Sequence, residues 1–285
     1  ASSVLVARAH PERGSASLSL LNFFWSLGAV ACPLLFAAFQ SRGRTSAYLI
    51  ALAVAFALLL IVVIAAPLHL PTAEADESRS TPRSRLSDLL TPTGILIGAL
   101  FYLYVGTEGA LGIWLATYAH RATVVSGSEW ITAPSYFYGA LLVGRLLAPA
   151  MLRRVPDAIF ARLSASLALI AIAALLYSKS FIGVAACAAL TGLGFSALYP
   201  ISIGYMSSAF GSVAQRVAGA MFALSTLGAA TIPWFIGYLS NRSGSLRTAL
   251  FVTLAGTLAM LVLFFLRIPL LSSDNPASPS AVQGF

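Results

Sequence analysis

Charge is what this chain lacks most. Asp, Glu, Lys and Arg together make up 9% of its 285 residues, against about 25% in a soluble domain. With a mean hydropathy of +0.88, that excludes a protein able to keep its surface in water. Cysteine is nearly absent: Cys32 and Cys187 both fall inside apolar runs, where a free thiol packs as a small hydrophobe. Neither supports a disulfide framework or a CxxC metal or redox site. His10, His69 and His120 stand in separate connections and form no ligand cluster. GxxxxGK[ST], HExxH and GxSxG do not occur, so the expectation is no ATPase, no hydrolase, no metal and no cofactor. GLGFSA at 192–197 matches the loose dinucleotide fingerprint. It lies within an apolar run, however, without a preceding strand or an acid about twenty residues on.

What the chain does have is long apolar runs. Segments near 18–38, 46–66, 94–118, 132–152, 159–178, 181–207, 216–239 and 246–267 each approach the roughly 20 residues that a spanning helix needs. In hydrocarbon every backbone donor and acceptor must pair internally, which leaves helices or closed barrels. Barrel strands would alternate polar and apolar residues, and these runs are apolar all round. The expectation is an all-α membrane protein with eight spans. The net charge of +8 does not point to nucleic acid, because the basic residues are scattered among the connections. With the N-terminus taken as cytoplasmic, ten lie inside: Arg8, Arg13, Arg79, Arg83, Arg85, Arg153, Arg154, Arg162, Arg216 and Arg267. Six lie outside: Arg42, Arg44, Arg121, Lys179, Arg242 and Arg247. The positive-inside bias favours that orientation, with the C-terminus cytoplasmic.

Residues 67–93 are rich in Pro, Ser and charge, the composition of a solvated linker. They separate two spans (1–66) from six (94–268), and a polar tail follows at 269–285. The first 17 residues are polar and Arg-bearing, with no apolar signal core. There is no initiator Met, and ASSVLVARAHPERGS reads as a cytoplasmic loop, so the polypeptide is expected to be N-terminally incomplete. Pro33, Pro149, Pro200 and Pro233 lie inside spans. Each frees the carbonyl four residues earlier, those of Ala29, Arg145, Ser196 and Ala229, and together they suggest helices bent around a cavity.

Two charges sit deep in spans: Glu108 and Arg145. Intramembrane ionisable residues are costly and mark ligand or ion pathways by default. The two spans are consecutive and antiparallel, and the residues lie 10 and 13 positions from the outer ends. At about 1.5 Å per residue the height difference is a few ångströms, within reach of an arginine. A structural ion pair and a ligand-binding pair both fit. Phe101, Tyr104, Glu108, Gly112 and Leu115 share one stripe by 3–4 spacing. Gly106, Gly109 and Gly112 allow close approach by a neighbouring backbone or a ligand. Tyr138, seven residues before Arg145, falls on the same side of its helix. Asn22, Trp25, Ser26 and Ala29 form a small polar stripe on the first span. Charged groups that bond hydroxyls, with rings that stack on C–H faces, suit a polyhydroxylated ligand. The candidate binding residues are therefore Glu108, Arg145, Tyr104, Tyr138, Asn22 and Trp25.

The stretches LNFFWSLGAVACPLL, YVGTEGALGIWLATYA, GLGFSALYPISIGY and IPWFIGYLSNRSGSLRTA resemble those of major facilitator superfamily transporters. Within that superfamily they are most similar to the fucose–galactose–proton symporter-like sugar permeases. The resemblance implies two six-helix halves joined by a cytoplasmic loop, of which eight of twelve helices are present here and the missing N-terminal helices are partners. GRLLAPAMLRR resembles the superfamily's Gly-plus-basic loop motif, with Ala148 where Asp is expected. The resemblance further implies a secondary active transporter of the cell (inner) membrane, working by alternating access on a sugar or similar small polar solute. The lipid bilayer is the other expected partner, the state monomeric, and the proton the possible coupling ion. The family's proton-carrying acids map upstream of this chain, so Glu108, in a YVGxE-like signature, is open to substrate contact, helix pairing or proton carriage. The alternatives are a drug or lipid exporter of the same fold, an integral membrane enzyme, or a non-transporting scaffold.

Overall fold

The computed structural model describes residues 14–65, 90–123 and 127–266. Most of the linker at 67–93 and the tail at 269–285 lie outside the described residues. The elements are α1 (Gly14–Gln40), α2 (Thr45–Ala65), α3 (Pro92–Ala122), a 3-10 turn (Glu129–Thr132) and α4 (Ala133–Leu152). They continue with α5 (Asp157–Tyr177), α6 (Phe181–Phe195), α7 (Leu198–Phe210), a 3-10 turn (Gly211–Val213), α8 (Ala214–Ser243), α9 (Leu246–Ala249) and α10 (Phe251–Phe265). Among the described residues, seven helical stretches are long and apolar enough to cross a membrane, and Phe24–Gln40 is a shorter apolar one. They account for the eight apolar runs, and the chain is a multi-pass, all-α membrane protein.

Local chemistry sets the ends. Thr91 caps α3 by accepting from the Gly94 amide at 3.1 Å, with Pro92 pre-set for the first turn. Ser180 caps α6 from the Gly183 amide, and Gly244, at φ +67°, closes α8 in the left-handed region. The prolines act unequally. Pro33, Pro149 and Pro233 sit inside continuous helices. Pro200 alone coincides with a break: α6 stops at Phe195 and α7 restarts at Leu198, either side of the Ser196 carbonyl that Pro200, four residues on, cannot serve.

Close packing comes from small residues rather than from hydrophobic segregation, as lipid requires. The longest contact runs between α3 and α8. There a Cβ on Gly106 would overlap the Gly228 backbone, and one on Gly228 would overlap the Tyr102 carbonyl. Tyr102 Oη and Thr231 Oγ1 meet at 2.8 Å on one side of that crossing. Trp114 Nε1 donates to the Pro233 carbonyl at 3.0 Å on the other. Gly192, within the stretch that mimics a dinucleotide fingerprint, lies against the Phe137 carbonyl of α4; it serves helix packing. α1 packs on α4, where Ser135 Oγ donates to the Val30 carbonyl at 2.9 Å. That carbonyl neighbours the one Pro33 leaves without a helical donor. α2 meets α1 through Tyr48, whose ring lies 5.3 Å from Phe36 and 5.7 Å from Phe39, and buries none of its residues.

Arginines tie α5 to α10 at one end and to α9 at the other. Arg162 Nε donates to the Phe264 carbonyl at 3.0 Å, with its guanidinium 4.9 Å from the Phe265 ring. At the opposite end the Arg247 guanidinium lies 4.4 Å from the Tyr177 ring. Arg162 caps the last turn of α10, where a cation opposes the helix dipole favourably. Arg162→Ala is expected to cost about 1–2 kcal/mol, read as a lowered unfolding temperature in detergent, while Arg162→Lys recovers part of the loss.

Candidate functional site

The site grows out of one face of α3. Residues 101, 104, 108 and 115 fall on one helix face, and all four are buried, Phe101 at 0%, Tyr104 at 1%, Glu108 at 7% and Leu115 at 1% exposure. A carboxylate there must find a cation. Arg145 supplies it from α4: its Nη2 lies 3.4 Å from Glu108 Oε1 and donates to Tyr104 Oη at 3.2 Å. A tight charge-assisted bond would be about 2.7–2.9 Å, so the pair is loose. It is also not sealed. The Arg145 side chain keeps 23% of its surface against 9% for Glu108, and its Nε and Nη1 donors have no hydrogen bond among the described residues. A guanidinium with spare donors, anchored on a buried carboxylate, can bond an additional oxygen-bearing ligand.

Aromatic rings build the surrounding wall. Tyr104 is stacked by Tyr199 at 5.4 Å and 29°, and flanked by Phe195 at 5.6 Å. Phe101 meets Tyr199 edge-on at 5.7 Å. Tyr138 places its hydroxyl directly over Gly112 of α3, where any Cβ would overlap it. The Tyr138 ring stands at 5.8 Å and 88° from Trp25 of α1. Trp25 itself is 54% exposed.

The structure thus joins Glu108, Arg145 and Tyr104 directly, and sets Tyr138 and Trp25 against each other on the neighbouring face. Tyr104 lies behind the wall rather than on its surface, with its hydroxyl engaged by Arg145. Asn22 belongs to α1, but its side chain lies outside the described residues. Tyr199 and Phe195 are the members that the sequence reading missed. Their signal was present: Tyr199 immediately precedes the helix-breaking Pro200, and the break at 196–197 lets the end of α6 and the start of α7 both face α3. Of the three glycines expected to allow close approach, Gly106 meets α8, Gly112 meets Tyr138, and a Cβ on Gly109 would meet nothing within 4 Å. Among the described residues no group of three His, Cys, Asp or Glu could hold a metal ion.

Known proteins share this architecture. The chain is 26% identical over 246 residues to the glucose/galactose transporter of Brucella abortus biovar 1 (strain 9-941), and equally to that of Brucella abortus (strain 2308). Each alignment covers 82% of this chain and 59% of the relative, so the chain spans well under two thirds of the length of these curated relatives. The crystal structure of an Escherichia coli fucose:proton symporter variant superimposes with a TM-score of 0.62 at 14% identity, covering 90% of this chain and 69% of that one. A second structure of FucP, in the outward conformation, gives 0.62 at 15% identity, covering 90% and 68%. At such identity the superposition establishes a shared fold. Residues 1–233 match the family model described as Major Facilitator Superfamily, more than half of the chain. On that match and on this helical architecture, the chain belongs to the major facilitator superfamily.

Proposed function

We propose that the chain forms part of a secondary active transporter for a hexose or similar small polar solute, working by alternating access. In this reading residues 1–66 belong to one half, 67–93 are a cytoplasmic linker, and 94–268 are the six-helix second half. The carrying observation is the loose Glu108–Arg145 pair between α3 and α4, with spare guanidinium donors and a rim of Tyr138, Trp25 and Tyr199. Each part has a role. Glu108 accepts from solute hydroxyls and holds Arg145; Arg145 donates to them; Tyr104 orients Arg145 from behind. Tyr138 offers a hydroxyl, and the Trp25 and Tyr199 rings take the C–H faces of the sugar; Asn22 of α1 is proposed as a further polar contact. An exporter of apolar compounds would favour a cavity without a costly charge pair. The names of the similar proteins support a sugar, and the fucose:proton symporter supports protons as the coupling ion. The excess of inside arginines supports a cytoplasmic linker and C-terminus; a monomer in the cell (inner) membrane completes the proposal.

The test is uptake of radiolabelled D-glucose and D-galactose by proteoliposomes holding a transporter polypeptide that contains this chain and the helices completing its cavity. Saturable uptake, accelerated by an inward proton gradient, is the expected result. Saturable extrusion of a lipophilic dye, without competition by either hexose, would favour the exporter.

A further inference from the structure

Gly112 faces the end of a tyrosine side chain. On α3 it lies one turn beyond Glu108, on the same face. Two glycines at helix crossings meet backbone, Gly228 the Tyr102 carbonyl and Gly192 the Phe137 carbonyl, whereas Gly98, Gly144, Gly237 and Gly256 meet neighbouring side chains. Gly112 also meets a side chain, and the three atoms nearest a Cβ there all belong to its far end, the Tyr138 hydroxyl and two ring carbons. That hydroxyl has no hydrogen-bond partner among the described residues. A buried hydroxyl left without a partner is costly, but this ring is half-buried rather than sealed. The same ring is held from its other side, edge-on to Trp25 of α1 and at 5.0 Å from Phe137. Tyr138 is therefore fixed by two aromatic neighbours and by the missing Cβ of Gly112. Its hydroxyl is kept free, one helical turn from the Glu108 carboxylate.

We propose that Gly112 is a positioning residue for solute binding, which acts by making room for the Tyr138 hydroxyl and so fixes where that hydroxyl meets the solute. This rests on the reading of the Glu108–Arg145 region as the solute site. An alanine at 112 would not disturb the helix, since alanine is the better helix former. It would push the hydroxyl aside and tilt the ring off Trp25.

The experiment is a double-mutant cycle in the complete transporter, reading KM and Vmax for D-glucose and D-galactose together with the unfolding temperature. Gly112→Ala and Tyr138→Phe should each raise KM roughly five- to tenfold, the scale of one lost hydrogen bond, with Vmax and unfolding temperature nearly unchanged. The deciding variant is Gly112→Ala/Tyr138→Phe. Its KM should lie close to that of Tyr138→Phe alone, because without the hydroxyl the nearest overlap is gone and only the ring edge, 2.8 Å from the added methyl, has to shift. Should Gly112→Ala fold poorly while the double variant folds, Gly112 serves packing against Tyr138 and the proposal is overturned. An equal effect of Gly112→Ala in both backgrounds, or a lowered unfolding temperature in both, would make Gly112 a packing residue and overturn the proposal. No uptake of either hexose by the wild-type protein would instead reject the sugar reading, and this assignment with it. Wild-type uptake that is lost in Glu108→Gln but unchanged in Gly112→Ala rejects the assignment alone.

Discussion

Replacing either Glu108 or Arg145 by glutamine is expected to abolish solute uptake by the complete transporter while leaving the protein folded. The alternative is a static pair that merely joins α3 to α4. In that case each single change strands a buried charge and costs about 3–5 kcal/mol, whereas removing both is far milder. The geometry argues for the first outcome. The pair is held by one 3.4 Å contact, and Arg145 retains nearly a quarter of its side-chain surface. Its second bond, to Tyr104 Oη, remains when Glu108 is neutralised, so the guanidinium is not left wholly unpaired. The double variant should stay inactive, because a hydroxylated solute loses both its acceptor and its donor. The deciding data are unfolding temperatures and initial uptake rates for Glu108→Gln, Arg145→Gln and the double variant. Two unstable single variants, rescued together in both stability and uptake, would leave the pair as a helix clamp.

The largest loss of stability should come from a residue with no functional group. Gly228→Leu is expected to prevent α3 and α8 from closing, since even a Cβ at 228 overlaps the Tyr102 carbonyl. Overpacking a fitted interface typically costs about 1–3 kcal/mol and sometimes more. Here the obstacle is backbone, which cannot rotate away. Separation of the helices would also break the Tyr102–Thr231 and Trp114–Pro233 bonds on either side of the crossing. Tyr102→Phe removes one of those bonds without separating the backbones, so its cost should be near 0.6 kcal/mol, the usual worth of such a bond in a bilayer. Unfolding temperature in detergent separates the two: a large drop for Gly228→Leu beside a small one for Tyr102→Phe. Similar values for both would mean that the crossing is not held by backbone proximity.

The membrane-spanning helical character of the chain was settled by the sequence. It follows from length, apolarity and the absence of any other way to pair a backbone in hydrocarbon, none of which needs a neighbour. Glu108 and Arg145 also stood out there, because a charge inside an apolar run is conspicuous without coordinates, and their similar depth made pairing an arithmetic expectation. The sequence carried the superfamily resemblance as well. Only the tertiary structure decided how each aromatic is used. Tyr104 and Tyr199 are both tyrosines in apolar runs, yet one is buried beneath the other with its hydroxyl engaged by Arg145. The four prolines likewise read alike, but only Pro200 coincides with a broken helix, whose two ends supply Phe195 and Tyr199 to the wall. The glycines divide in the same way: Gly106 and Gly112 lie six residues apart on α3, one against backbone and one against a hydroxyl. The physical reason is common to all three cases. A residue's cost of burial is intrinsic and can be read locally, whereas its partner depends on where another helix crosses, and a crossing is set by the summed shapes of two surfaces.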